Sequence, residues 1–107
     1  MYYPSYVNIP EDVYRKSLDV ASSYYLLQRR KQEINEQEPR ATVNNWQIDA
    51  IESAWNALVD DTERAFIAKN LFDGIQMRYI NLPMSHSSMK RVRKRFLCQL
   101  AENLGLW

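Results

Sequence analysis

The last third of the chain carries the clearest helical pattern. One face of a predicted helix is apolar at Met89, Val92, Phe96, Leu100 and Leu104. Leu97 and Ala101 widen this face to the width of a helix that packs on a core. Ser85 precedes the pattern and suits an N-cap, because its hydroxyl can accept a bond from an orphan backbone N–H. Gly105 suits the residue after the C-cap. The pattern therefore predicts a helix over residues 86–104.

Two further helices are predicted before residue 60, separated by a linker. A helical pattern runs from Pro10 to about Gln37, and Glu11 and Asp12 favour the positive end of that helix. Residues 38–44 are predicted to be a linker. A second helix is predicted from about Asn45 to Val59, with Asn44 as its N-cap. Residues 1–9, rich in tyrosine, are expected to be an extended arm that lies on the core or contacts another subunit.

A third helix is predicted from Thr62 to Phe72, with Asp60 as its N-cap. Residues 75–84 alternate between apolar and polar side chains, which fits a strand, but a single helical turn over residues 75–80 fits equally well. Pro83 ends either element. A helix, a short connector and a basic helix form the outline of a helix-turn-helix.

These elements predict an all-α fold, with a long N-terminal helix followed by a compact three-helix unit of helix-turn-helix type. Residues 1–44 would form the arm and the long helix, and residues 45–107 the DNA-binding domain. The long helix leaves dimerisation of two copies open.

The charge of the chain is unevenly distributed. Its formal net charge is only +1 over 107 residues. Residues 1–74 carry eight basic and twelve acidic side chains, a net charge of −4, whereas residues 75–107 carry six basic and one acidic, a net charge of +5. This asymmetry indicates an anionic partner for the last third.

The remaining composition favours a cytoplasmic protein without a membrane segment. Cys98 is the only cysteine, so an intrachain disulfide is excluded and a reducing compartment is expected. No run of residues reaches the length of a membrane span, and the start lacks the features of a signal peptide.

Catalytic and cofactor chemistry lacks the residues it needs. Glycine occurs only at positions 74 and 105, which excludes a glycine-rich phosphate loop. Cys98 and His86 lie about 18 Å apart along one predicted helix, too far for proton transfer. No set of zinc ligands is present. The acidic run from Asp60 to Glu63 is interpreted as helix capping rather than a metal site. The sequence therefore predicts neither an enzyme nor a bound cofactor.

Two other clusters have a structural and a functional interpretation. Trp46 and Trp55 could form a ligand cage, although packing in the core is favoured. The basic triplet Arg29–Arg30–Lys31 could contact DNA, although a solvated helix end is favoured.

Five of the six residues from Lys90 to Arg95 are cationic. Small polar residues in the first turn followed by cations suit a helix that enters the major groove of double-stranded DNA. The residues expected to reach base edges are His86, Ser87, Ser88 and Arg91. The residues expected to hold phosphates are Lys90, Lys94, Arg95 and Arg78. The alternatives are a solvated helix face, and a protein-interaction module that binds RNA polymerase or another regulator.

Three segments resemble a known family. They are the amphipathic stretch Ile48–Ala54 leading into Glu63–Phe72, the Ser-capped basic helix Ser85–Arg95, and the closing stretch Gln99–Gly105. Together they resemble the phage late-gene transcriptional regulators of the RinA and ArpU type. The resemblance covers about half of the chain, from Ile48 to Leu104.

This resemblance implies a C-terminal domain like the fourth region of sigma factors, and a sequence-specific, DNA-binding regulator of phage or prophage transcription. The DNA-recognition subunit of a phage packaging enzyme is a further alternative, because such subunits also use small helix-turn-helix units. One departure from the family is the short interval from Phe72 to Ser85, which in the family holds the first helix of the DNA-binding pair.

Overall fold

The computed structural model describes residues 9–107, which contain five α-helices and no β-strand. The helices are α1 (Glu11–Ser22), α2 (Tyr24–Glu33), α3 (Pro39–Asn56), α4 (Asp61–Ile67) and α5 (His86–Asn103). A π-helical turn, Ala68–Phe72, continues α4, and a 3-10 turn, Met77–Tyr79, lies in the connector to α5. The predicted all-α class is confirmed for these residues. The predicted N-terminal arm lies outside the described residues, apart from residue 9.

The predicted long first helix is wrong, because two helices, α1 and α2, replace it. The break falls at Ser23, whose backbone leaves the helical region at φ −94° and ψ 7°. Its N–H donates to Val20 O, and its hydroxyl donates to Asp19 O at 2.8 Å. Such local side-chain bonds compete with the helical ladder. α2 then ends at Glu33, because the backbone of Ile34 is extended.

The predicted linker over residues 38–44 is also wrong, because α3 begins at Pro39. Proline suits the first helical position, since its missing N–H would have no partner there, and it keeps the preceding residue extended. Glu38 accordingly has φ −76° and ψ 139°. Asn44 is therefore no N-cap. It lies buried inside α3 and donates from Nδ2 to Leu27 O of α2 at 2.9 Å. The boundary expected between residues 44 and 45 falls inside this helix.

The predicted N-cap of α4 is confirmed. The Asp60 carboxylate accepts the N–H of Thr62 at 2.7 Å. The helix widens after Ile67, where Asp73 N–H donates to Ala68 O, five residues back. The buried Asn70 lies in this π turn and donates from Nδ2 to Ile75 O at 2.9 Å.

Residues 75–84 take up the helical-turn alternative in part, since three of them form the 3-10 turn and none forms a strand.

The last helix agrees closely with its prediction. Ser85 is its N-cap and accepts the N–H of Ser88 at 3.1 Å. Gly105 follows the C-cap with φ +72°. The N–H groups of Gly105 and Leu106 donate to Glu102 O and Ala101 O, the two bonds of a Schellman motif. The predicted apolar face is buried throughout, at Met89, Val92, Phe96, Leu97, Leu100, Ala101 and Leu104.

α5 forms the centre of the core, where it packs against α1, α3 and α4. The largest fully buried side chains include Phe66 and Ile67 of α4, Ile48 and Ile51 of α3, and Phe96 of α5. Among the described residues, every buried side-chain polar atom has a hydrogen-bond partner. No helix within residues 9–107 is both long and apolar enough to cross a membrane.

We expect Phe96→Ala to lower the free energy of unfolding by about 3–5 kcal/mol. Phe96 is 1% exposed and meets Phe72 edge-on at 6.3 Å between ring centroids, so truncation leaves a cavity at the centre of the core. Urea denaturation followed by circular dichroism measures the change. Val59→Ala is the control, because Val59 is 92% exposed. A loss below about 1 kcal/mol for Phe96→Ala would contradict the central position of this ring.

Candidate nucleic-acid interface

The first turn of α5 presents small polar side chains to solvent. His86 and Ser87 are exposed, whereas Ser88 is half-buried. The Ser88 hydroxyl accepts from Ser85 Oγ at 3.0 Å and from Arg91 Nη2 at 3.2 Å. The predicted base-contacting residues therefore lie together at one end of the helix, and Arg91 folds back over the first turn.

The cations of α5 separate into two groups. Lys90 and Arg91 are exposed, and Lys94 is partly exposed. None of these three forms an ion pair within residues 9–107. Arg93 and Arg95 instead bind other parts of the protein. The charge that is available to a partner is therefore smaller than the sequence indicates.

Arg93 connects three elements. Its Nε donates to the hydroxyl of Tyr14 in α1, and its Nη1 donates to Oδ1 of Asn70 in the π turn, both at 3.1 Å. The side chain turns towards the body of the protein because position 93 adjoins the apolar face of the helix. Arg93 is thus a structural residue rather than a contact for a partner.

Arg95 forms an ion pair with Glu63 of α4, from Nη2 to Oε1 at 2.6 Å. The Glu63 side chain is only 16% exposed, so its charge is poorly solvated without this partner. Arg95 was expected to hold a phosphate, but its charge is paired with Glu63 instead. Within the acidic run that was interpreted as helix capping, Glu63 instead directs its carboxylate to Arg95 of α5.

Arg78 is the predicted phosphate contact that lies outside α5. It belongs to the 3-10 turn, is exposed, and its guanidinium lies 4.8 Å from the centroid of the Tyr79 ring.

A cleft of about 550 Å³ opens between the start of α1 and the first half of α5. Its walls include Lys90, Arg93 and Lys94 on one side and Glu11 and Tyr14 on the other. Glu11 is paired with Arg15 at 2.8 Å, so its charge is largely balanced. We call this side of α5 the cationic flank.

The opposite side of α5 is close to neutral. A groove of about 480 Å³ separates the first half of α5 from the start of α4. Arg91 and Arg95 line it, but so do Asp60 and Glu63. An anionic chain that approaches α5 therefore finds attraction on the cationic flank and little on this side.

The connection between α4 and α5 differs from that of a compact helix-turn-helix. Residues 73–85 separate the end of the π turn from the start of α5, and they include the 3-10 turn. A helix-turn-helix joins its two helices by three or four residues. α4 therefore does not stand in the position of the first helix of such a pair.

Within residues 9–107, no group of three or more His, Cys, Asp or Glu side chains could hold a metal ion. His86 is exposed in the first turn of α5, whereas Cys98 is buried in its later part.

Little in the sequence indicated that Arg93 and Arg95 bind other parts of the protein. Both positions border the apolar face of α5, which indicates partial burial. Their partners, Tyr14, Asn70 and Glu63, are more than twenty positions away, and no local pattern identifies such pairs.

No protein-family model matches this chain, and no curated protein and no solved structure is significantly similar to it.

We expect Arg93→Ala to lower the free energy of unfolding by roughly 1–3 kcal/mol, because buried Asn70 loses its charged donor. Lys90→Ala removes a cation one turn earlier and should change the free energy by less than about 0.5 kcal/mol. Urea denaturation of both variants measures the difference. Equal stability of the two variants would show that Arg93 does not hold α1, α5 and the π turn together.

Proposed function

We propose that this protein binds double-stranded DNA through the first half of α5 and regulates phage or prophage transcription. The observation that carries the proposal is the outer face of α5, where exposed His86, Ser87, Lys90 and Arg91 stand on a helix whose other face is buried. An α-helix fits the major groove, which is about 12 Å wide. The proposed action is binding rather than catalysis, without a cofactor.

Small residues in the first turn support a close approach to the bases. His86, Ser87 and Ser88 let the helix backbone come near the groove floor, and Arg91 follows within one turn. Arginine pairs with the O6 and N7 atoms of guanine through two hydrogen bonds. Its bond to the Ser88 hydroxyl, at 3.2 Å, is long and exposed, so it is readily exchanged for a base contact.

The uneven charge around α5 supports one orientation on DNA. The cationic flank carries Lys90 and Lys94, whereas the α4 side is balanced by Asp60 and Glu63. We propose that one phosphate backbone runs along the cationic flank, beside the start of α1. Arg95, which is paired with Glu63, would contribute less than the sequence alone suggests.

The transcriptional role rests on the family resemblance together with this surface. The longer connector between α4 and α5 means that docking would differ from that of a compact helix-turn-helix, with α1 rather than α4 beside the DNA backbone.

A second candidate function is a protein contact, either with RNA polymerase or with another regulator. It is favoured by apolar side chains on the outer side of α3, where Val43 is 54% and Trp46 is 48% exposed. Trp46 and Leu106 line a shallow cavity of about 300 Å³ at the end of α5. Exposed tryptophan is enriched in protein interfaces.

We expect Arg91→Ala and Lys94→Ala to weaken DNA binding in different ways. A preferred sequence is first selected from a random DNA pool, and both variants are then titrated on this sequence and on a scrambled one at several salt concentrations. Arg91→Ala should reduce discrimination between the two by about 1–3 kcal/mol, through the lost guanine contact. Lys94→Ala should weaken binding to both equally and reduce the salt slope by about one.

Arg40→Ala is the matched control, because Arg40 is an exposed cation at the start of α3. Thermal melts of all three variants exclude unfolding as the cause. If the parent selects no sequence, or if Arg91→Ala and Lys94→Ala bind every DNA as the parent does, the basic face is a solvated surface. The protein-contact function would then be the better explanation.

A further inference from the structure

An aromatic pocket of about 250 Å³ lies on the side of the protein formed by α2, α3 and the π turn. Its walls are Tyr24, Tyr25, Ile51, Glu52, Trp55, Asn56, Ala68 and Phe72. The proposed DNA contact uses none of these residues. The sequence suggested Trp46 and Trp55 as residues of a ligand cage. Of these two tryptophans, only Trp55 lines this pocket.

The rings of the pocket are fixed by their own contacts. Trp55 Nε1 donates to Arg64 O at 3.0 Å, and the Tyr25 hydroxyl donates to Asp73 Oδ1 at 2.7 Å. Tyr24 lies against Phe72, with ring centroids 4.6 Å apart. The centroids of Tyr25 and Phe72 are 6.4 Å apart, and their planes meet at 64°. The pocket is therefore largely formed before anything binds.

The chemistry of the walls favours a cation. The faces of aromatic rings attract cations, and arginine most often occupies such positions. Two carboxylates lie close by, Glu52 in the wall and Asp73 beside the Tyr25 hydroxyl. Burial and the negative charge of Glu52 raise the pKa of Tyr24, and the hydrogen bond to Asp73 raises the pKa of Tyr25. Glu52 itself is exposed and has no hydrogen bond or ion pair within residues 9–107.

The pocket is too open to hold a small free cation firmly. Tyr25 is 52% exposed, and Asn56 and Glu52 are exposed as well. Sites for free small ligands usually bury most of the ligand surface. A cation that belongs to a larger surface avoids this difficulty, because neighbouring contacts help to hold it.

The same helix supplies a matching cation. Arg29 lies one turn after Tyr25 on α2, so the two side chains share a helix face. Arg29, Arg30 and Lys31 are exposed, and none of them forms an ion pair within residues 9–107. If two α2 helices pack antiparallel through their exposed faces, with a twofold axis at the level of residue 27 along the helix, residue 25 of one copy faces residue 29 of the other.

We propose that the aromatic pocket receives Arg29 of a second copy of this chain, so that two copies form a twofold dimer across α2. Each copy then offers one pocket and one arginine, as a twofold interface requires. Tyr25 and Leu26, which are 52% and 37% exposed, form the apolar centre of the interface. Glu52 of one copy pairs with Arg29 of the other. The dimer does not depend on the proposed DNA binding, and it is measured without DNA.

Sedimentation velocity of the full chain over a range of concentrations tests the proposal. The parent should show a monomer–dimer equilibrium. Arg29→Glu and Tyr25→Ala should each raise the dimer dissociation constant at least about tenfold, the loss typical of a central interface anchor. Arg78→Glu and Tyr79→Ala are the matched controls and should leave it within about twofold, because both residues lie on the 3-10 turn and neither belongs to α2 or to the walls of the pocket.

Exchanging the charges of Arg29 and Glu52 gives the most specific test of the proposed interface. Arg29→Glu and Glu52→Arg should each be monomeric alone, because like charges then meet in both pockets. A mixture of the two variants should dimerise again, since one pocket keeps the parent pair and the other holds the reversed pair. Arg29 and Glu52 are both exposed, so neither change is expected to disturb the fold.

Three results would overturn the proposal. The parent could remain monomeric at its highest soluble concentration. A dimer could form that Arg29→Glu and Tyr25→Ala leave unchanged. Alternatively, a monomeric parent could bind an arginine-containing peptide, but not its citrulline analogue, in a manner that needs Tyr25. This last result would assign the pocket to the arginine of a different polypeptide.

Discussion

The hydrogen bonds of Arg93 tie α5 to α1 and to the π turn, in addition to the buried apolar face that packs the helix into the core. This one guanidinium joins the Tyr14 hydroxyl of α1 to the buried Asn70 of the π turn. Asn70 in turn holds Ile75 O at the beginning of the connector that leads to α5. A half-buried cation is costly unless its donors are satisfied, so these bonds restrict where the three elements can lie. Arg93 also lines the cleft on the cationic flank, and because its own donors are engaged, Lys90 and Lys94 are the cations there that can meet a partner.

α5 therefore divides its cations between the fold and a partner. Arg93 and Arg95 are engaged by neutral oxygens and by Glu63, whereas Lys90, Arg91 and Lys94 face solvent or the cleft. Cations near the start of a helix oppose the macrodipole. The N-cap at Ser85 offsets part of this cost by satisfying one N–H of the first turn. Cations without an ion pair near the start of α5 therefore lower the stability of this helix slightly.

The sequence predicted the elements whose signals are local. The apolar face of α5 and the caps at Ser85 and Asp60 were confirmed, because each depends on residues within one or two helical turns. The same local signals were misjudged at two places. The bonds of Ser23 break the first helix, and Pro39 starts α3 rather than lying in a linker.

The candidate site was less predictable than the helices, for a physical reason. Which cation remains free is decided by tertiary partners, and Glu63 and Asn70 reach α5 from distant parts of the chain. The aromatic pocket is similar, because Tyr25, Trp55 and Phe72 meet only after three elements pack. A helical pattern in the sequence identifies the inward face of each helix but not the neighbours of a residue at its border.

The π turn accommodates one extra residue at a single point of the helix that continues α4. Such a turn holds about one residue more than an α-helical turn, and one residue corresponds to about 100° of rotation. This offset brings Asn70 to α5 and lets Phe72 meet both Tyr24 and Phe96. Deleting one residue between positions 68 and 72 would let the segment close into an ordinary α-helix, because the extra residue is what widens the turn. The residues beyond it would keep their direction, whereas a deletion within the regular turns of α5 would rotate the residues that follow by about 100°.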